Sequence, residues 1–239
     1  MHYADKQLYA WSDHWARLSQ SAATFGLALP AEAEVIQALK TLVTQSELAE
    51  STLKLSLLKG AADSHLFVYA RPPLPSPESR CLRLDRDAPI FERSRLAGHK
   101  THNYMEAMHR LELARADGYY DALRLDSLGR LAETTTANIF FILDERLCTP
   151  ASDTGILPGV TRALLLRSAK LQAETGHYTL EDLEHADALF VTNATNGIRV
   201  MDSVEGLPGP SRVEFDPAHP VLETIRAVHA ASRRGIRLR

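Results

Sequence analysis

Cysteine is nearly absent from this chain: Cys81 and Cys148 are the two in 239 residues, far apart and in no CxxC or Cys/His spacing. That argues against a disulfide framework or a structural zinc site and leaves both cysteines a packing role. No apolar run approaches the ~20 residues that span a bilayer, and the opening Met1-His2-Tyr3-Ala4-Asp5-Lys6 has no basic segment followed by an apolar stretch. The chain therefore reads as soluble and cytoplasmic, with no membrane partner. Positive charge is also short, 27 Lys and Arg against 30 Asp and Glu. Without a dense basic stripe to follow a phosphate backbone, no nucleic acid partner is expected. No Gly-x-Ser-x-Gly elbow and no glycine-rich phosphate loop occur, which sets hydrolase and nucleotide-binding readings aside. His99 and His102 lack a third ligand and a supporting shell, so no metal is expected.

What is present has the pattern of a mixed α/β (α+β) protein. Trp15, Leu18, Ala22 and Phe25 recur at helical spacing over residues 14–25, and Pro30-Ala31-Glu32 opens a second helix to about residue 48. Two helices are thus expected before the first strand. Residues 52–58 alternate Leu53, Leu55 and Leu57 against Lys54 and Ser56, with residues 65–69 as their hairpin partner. Four prolines (Pro72, Pro73, Pro75, Pro77) make residues 71–79 a loop and the best linker. Residues 1–75 are then a small, shortened N-terminal α/β domain, and residues 80–239 a larger C-terminal one. In the latter, residues 81–84 alternate as a strand and residues 103–116 form a helix ended by Gly118. Residues 122–125 and 139–143 read as strands flanking the turn Asp126-Ser127-Leu128-Gly129. A long helix is expected from Pro158-Gly159 to about residue 173, a buried strand over residues 188–192, and a last helix over residues 219–233.

Four pieces could carry chemistry. Lys100, in Leu96-Ala97-Gly98-His99-Lys100-Thr101-His102-Asn103-Tyr104, stands just before a helix among small and apolar residues. A lysine that forms an imine must spend time as the free amine, which burial and nearby positive charge favour. Glu133, in Gly129-Arg130-Leu131-Ala132-Glu133-Thr134-Thr135-Thr136-Ala137-Asn138-Ile139-Phe140, could keep a pyridine nitrogen protonated so that the ring accepts electrons. Gly155-Ile156-Leu157-Pro158-Gly159-Val160-Thr161-Arg162 puts backbone donors and a hydroxyl at a helix start, where an anion is stabilised. Arg17, in His14-Trp15-Ala16-Arg17-Leu18, offers a planar fork to a phosphate. Taken singly, each also reads as something ordinary: a solvated lysine, an exposed acid in a polar turn, a strand-to-helix connection, a surface arginine.

In order along the chain, these motifs are more specific. His-x-x-Arg-Leu, Lys-x-x-Asn-Tyr, Gly-x-x-x-Glu-x-x-x-x-Asn-x-Phe, Thr-Pro followed by Leu-Pro-Gly-Val-Thr-Arg, and a late Phe-Val-Thr-Asn together resemble the fold-type IV pyridoxal 5'-phosphate (PLP) enzymes, the class IV aminotransferase family. That group includes branched-chain and D-amino-acid aminotransferases and aminodeoxychorismate lyase. The resemblance runs from about Ala10 to Met201. It implies the two-domain, D-amino-acid aminotransferase-like fold, PLP at the domain junction, a small-molecule amino substrate and a homodimer. It makes Lys100 the catalytic Schiff-base lysine and Glu133 the partner of the pyridine nitrogen. Arg17, Val160 and Thr161 become the phosphate cup, Asn138 a structural residue, and Tyr104 the tyrosine on the cofactor's phenolic oxygen. Where the aminotransferases tend to have Gly-Thr-Ala as a further phosphate contact, this chain has Asn193-Ala194-Thr195, which points to backbone amides or the Thr195 hydroxyl.

The strand end Thr192-Asn193-Ala194-Thr195-Asn196-Gly197-Ile198 resembles the lyase more than the aminotransferases, and the two-residue gap between Lys100 and Asn103 also fits lyases, although D-amino-acid aminotransferases share it. The expected reaction is conversion of 4-amino-4-deoxychorismate to 4-aminobenzoate and pyruvate, in folate biosynthesis, with class IV amino transfer to a keto acid as the alternative. Family members usually begin further upstream, with strands and a Tyr-Gly-x-Gly-x-Phe-Glu-type segment. The chain is therefore expected to lack the first N-terminal strands, which would leave sheet backbone unpaired and favour association. A PLP-binding but inactive family member is the reading from a different class.

Overall fold

A computed structural model describes residues 1–72 and 77–238. In chain order the elements are β1 (His2–Ala4), β2 (Gln7–Tyr9), α1 (Trp11–Thr24), α2 (Glu32–Gln45), β3 (Ser51–Lys59), β4 (Ser64–Arg71), β5 (Cys81–Ile90), α3 (Met105–Ala116), β6 (Asp121–Asp126), β7 (Leu131–Thr134), β8 (Asn138–Leu143) and β9 (Arg146–Pro150). A 3-10 turn (Ser152–Thr154) leads to α4 (Val160–Leu166), β10 (Glu174–Gly176), α5 (Leu180–Glu184), β11 (Ala188–Asn193), β12 (Gly197–Met201), β13 (Ser203–Glu205), β14 (Arg212–Glu214), α6 (Val221–Ser232) and β15 (Gly235–Arg237). The chain forms two compact units: Met1–Pro75 with Arg233–Arg239, and Ser76–Ser232. Of the four prolines in the expected linker, Pro73 and Pro75 lie outside the described residues.

The first unit is one antiparallel sheet with its helices. Its described strands run in the order β15-β2-β1-β3-β4. Two expectations are corrected here. A hairpin, β1 with β2, precedes the helices, its Tyr3 set against Leu8. These strands are three residues each, too short to show alternation in sequence. The C-terminal segment also leaves the larger unit: Gly235–Arg237 pairs antiparallel with Gln7–Tyr9, which covers the outer edge of β2. Tyr3, Leu8, Trp11, Val35, Leu39, Val43, Leu53 and Leu238 are the buried core, with apolar positions at helical spacing on α2 and from both chain ends meeting in it.

The second unit is organised by β8 and β11, which pair antiparallel with Phe141 opposite Leu189 and Phe140 opposite Phe190. Ile139, Phe141, Leu189 and Val191 enter one core, while Phe140, Ile142, Ala188 and Phe190 enter another. Successive side chains of a strand face opposite ways, so a strand buried on both faces must be apolar throughout, and Ile139-Phe140-Phe141-Ile142 is. The Phe140 and Phe190 rings stack with centroids 5.2 Å apart. Around this centre the described strands follow the order β10-β9-β8-β7-β6-β5-β13-β14, with β11 and β12 joined through β8. The helix expected to reach residue 173 stops at Leu166; Gln172 takes a φ of 45°, and β10 instead pairs parallel with β9. Of the three leucines that end α4, Leu164, Leu165 and Leu166, Leu165 is the one that is buried.

Candidate active site

Glu133 lies on β7, a strand the sequence pattern did not reveal because Thr134-Thr135-Thr136 looks like a polar turn. Thr134 and Thr135 are buried and Thr136 is exposed, and all three donate to a buried carboxylate. Asp121, fully buried at the start of β6, accepts from Thr134 Oγ1 (2.9 Å), Thr136 Oγ1 (2.6 Å), the Thr135 amide (3.1 Å) and the Thr135 hydroxyl. This clamp fixes the β7–β8 connection, in which Glu133 pairs with Asn138. Asp121→Ala would leave several buried donors without an acceptor. We expect it to cost on the order of 3 kcal/mol in chemical denaturation and to loosen the strand that carries Glu133.

The Glu133 carboxyl is itself held. Its Oε2 accepts from Asn138 Nδ2 at 2.8 Å and from the Leu157 amide at 3.1 Å. Asn138 spends its second N–H on the Leu157 carbonyl at 2.9 Å, tying β8 to the segment before α4. A Cβ on Gly159 would stand 2.0 Å from Asn138 Oδ1, so glycine is what lets the Asn138 amide lie against the backbone there. Burial pushes the Glu133 carboxyl up to about 8, opposed by the Leu157 amide and by the positive charges of Arg124 and Lys100, with Asp121 adding to the rise. At neutral pH it is poised between acid and anion, able to share a proton with a basic nitrogen.

Glu133 opens into a cleft of about 280 Å³ within the second unit. The end of β5 (Pro89, Ile90), the loop from Phe91 to Asn103, the first turn of α3 and Arg124, Thr135, Gly155 and Leu157 line it. Gly155 has a φ of 82°, and a Cβ there would meet Ile90 Cγ2 at 2.8 Å and Glu92 Cα at 2.9 Å. The chain can turn toward Leu157 against β5 only with glycine at this point.

Lys100 belongs to the same loop. Its neighbours His99 and Thr101 line the cleft, and its Nζ donates to Tyr104 Oη at 3.0 Å, Tyr104 being a lining residue. The side chain also lies over the Tyr104 ring, 4.7 Å from its centroid. The burial expected of this lysine is not found: Lys100 is exposed, carried by a loop with no regular structure before α3.

The remaining expected residues do not line the cleft. Val160 and Thr161 are buried in the first turn of α4, just beyond Leu157. Arg162 beside them is buried too, donating to Thr149 Oγ1 at 3.2 Å and to the Pro150 carbonyl at 2.7 Å, which anchors that turn to β9. Thr195 sits in the β11–β12 turn, where its amide donates to Asn193 Oδ1 at 3.1 Å, as does the Asn196 amide at 2.7 Å. Of the two contacts expected there, the Thr195 amide is thus already engaged, and the hydroxyl is the group to offer an anion. Arg17 is on α1 in the other unit, half-buried. Two groups were missed in the sequence: the Leu157 amide, which no side chain announces, and Arg124, whose signal was a cation inside the otherwise apolar run Ala122-Leu123-Arg124-Leu125.

Comparison with known proteins bears on this arrangement directly. The family model for Amino-transferase class IV matches residues 1–204. A protein assigned as a branched-chain-amino-acid aminotransferase in Rickettsia felis is 27% identical over 237 residues, covering 92% of this chain and 80% of the relative. Aminodeoxychorismate lyase of Bacillus subtilis is 34% identical over 109 residues, 44% of this chain and 37% of that protein. Among solved structures, a protein assigned as a 4-amino-4-deoxychorismate lyase from Legionella pneumophila superposes with a TM-score of 0.87 at 26% identity, over 97% of this chain and 89% of that one. The family match runs over residues 1–204 and includes every residue of the cleft, and it agrees with the motif order read from the sequence: the protein is an enzyme of the class IV amino-transferase family.

Proposed function

We propose that this protein is a PLP-dependent lyase that converts 4-amino-4-deoxychorismate to 4-aminobenzoate and pyruvate, a step of folate synthesis, and that it works as a homodimer. The family is PLP-dependent. The observation that carries the reading is Glu133: a carboxyl pinned through one oxygen by Asn138 and Leu157 and raised to about 8, in the same cleft as the lysine-bearing loop. Such a group suits a pyridine nitrogen, with which it can share a proton or pair as an anion. Bound there, the cofactor would supply an electron sink for the carbanion formed at the substrate.

The chain's own residues do the rest. Lys100 Nζ would hold the cofactor's aldehyde carbon, be displaced by the substrate amine, and then take the proton beside that amine. Tyr104 Oη accepts from Nζ and would orient the lysine, and by resemblance it would serve the cofactor's phenolic oxygen. Arg17, Val160, Thr161 and the Thr195 hydroxyl are assigned to the phosphate by resemblance. Expulsion of enolpyruvate is driven by aromatisation of the remaining ring, and the proton taken by Lys100 completes the balance in the pyruvate released.

The Asn193-Ala194-Thr195 turn and the likeness to the Legionella protein support the lyase over amino transfer. Amino transfer is the second reading, favoured by the likeness to the Rickettsia protein over nearly the whole chain. Supplying the PLP-loaded protein with 4-amino-4-deoxychorismate, and separately with branched-chain or D-amino acids plus 2-oxoglutarate, tests both. Pyruvate release without glutamate formation is the expected result. Glutamate formation alone would replace the lyase with a transaminase, and neither product from a PLP-loaded protein would make this an inactive member.

A further inference from the structure

Two carboxylates, Glu106 and Glu133, and one arginine, Arg124, are among the residues lining the cleft. On β6 the period of two puts Arg124 on the face opposite Leu123 and Leu125. It is only 9% exposed. Its Nε donates to the Ala88 carbonyl at 2.9 Å, which fixes the guanidinium against β5. One further arm, Nη2, stands 3.6 Å from Glu106 Oε2. Burying a guanidinium costs several kcal/mol unless it is compensated, and a distant contact to a glutamate whose side chain is 68% exposed compensates little. The strand alongside is β7: Leu123 is opposite Thr134 and Leu125 opposite Leu131, so Arg124 falls beside the stretch that carries Glu133.

We propose that Arg124 is a positioning residue for Glu133, a fixed counter-charge on the neighbouring strand that keeps the cleft carboxyl able to ionise, with Glu106 competing for the same guanidinium. The electrostatic link holds in the cofactor-free chain; only its consequence for catalysis rests on the reading of Glu133 given above. Three other charges face Glu133: Lys100 from the loop, Arg162 from α4 and Asp121 from β6. Asp121 opposes ionisation. Lys100 is the group that the chemistry takes through neutral forms, and Arg162 is committed to Thr149 and Pro150. Arg124 is the cation that stays charged throughout and shares the cleft with Glu133.

The test is a titration of the cofactor-free protein labelled with carboxyl-¹³C glutamate, the Glu133 resonance being the one that disappears in Glu133→Gln. In Arg124→Leu its midpoint should rise by about one pH unit or more, and in Arg124→Lys it should stay near that of the wild type. Glu106→Gln, a change at an exposed side chain, should lower it by releasing the guanidinium. An unmoved or lowered midpoint in Arg124→Leu overturns the proposal. If that variant does not fold, Glu106→Gln decides alone, and an unmoved midpoint there overturns it as well. A protein that takes up no PLP would sink the functional reading while leaving this titration intact, so the two failures are distinguishable.

Discussion

Lys100→Ala should strip the PLP-loaded protein of the visible absorbance that borohydride removes, and should lower its activity by roughly 10²–10⁴-fold or more, whichever reaction proves to be the physiological one. Both losses have one cause. In the proposed function the Nζ that accounts for the colour is also the group that moves the proton, so the variant would lose a covalent anchor and a base together. Fold and cleft should be untouched: the side chain is exposed and its hydrogen bond is to Tyr104, so thermal stability should remain close to that of the wild type. The pairing matters, because a lysine important only for folding would lower stability along with activity. The spectrum of the variant with added PLP, before and after borohydride, is the decisive measurement. A borohydride-sensitive band or full activity surviving in Lys100→Ala would remove this lysine from the mechanism.

How far such a site can be read from sequence depends on what each part is made of. The strands β8 and β11 were legible because burial on both faces demands an unbroken apolar run, and the chain spells one in each. The helices α1 and α2 were legible by their helical pattern, and α3 by the Gly118 that ends it. β1, β2 and β15 were not: each has three residues, and what makes them strands is pairing between opposite ends of the chain, which no local pattern carries. Lys100 and Glu133 were singled out through motif order, since five short motifs in sequence constrain far more than any one. What holds Glu133 was not, apart from Asn138, taken as structural. The Leu157 amide belongs to the backbone, and the Asp121 clamp consists of threonines whose polarity imitates a turn. Arg124 stood in plain view as a charge inside a strand, but without the partner strand it could equally have faced solvent.

Glu133→Gln should keep the lysine and the cleft, retain bound PLP, and slow turnover by about a hundredfold to a thousandfold, the range seen when one fixed electrostatic group is lost. The same substitution has a second signature in the cofactor-free protein, with a definite sign. The Glu133 carboxyl sits at about 8 in the folded chain against an ordinary 4.5, so between those values the folded state holds a proton that the unfolded state has released. Its contribution to stability is therefore fully present below pH 4.5 and is lost as pH rises through about 8. Unfolding free energy of the wild type should decline across that window relative to Glu133→Gln, whose amide does not titrate, by up to a few kcal/mol in total. Denaturation curves of both proteins at pH 5, 6, 7 and 8 measure the difference directly. Parallel curves would mean that Glu133 is already ionised across this window, so that it would offer the ring nitrogen a fixed negative charge and no proton to share. Converging or crossing curves would establish the protonated carboxyl, and a slow but coloured Glu133→Gln enzyme would then tie that proton to the electron sink.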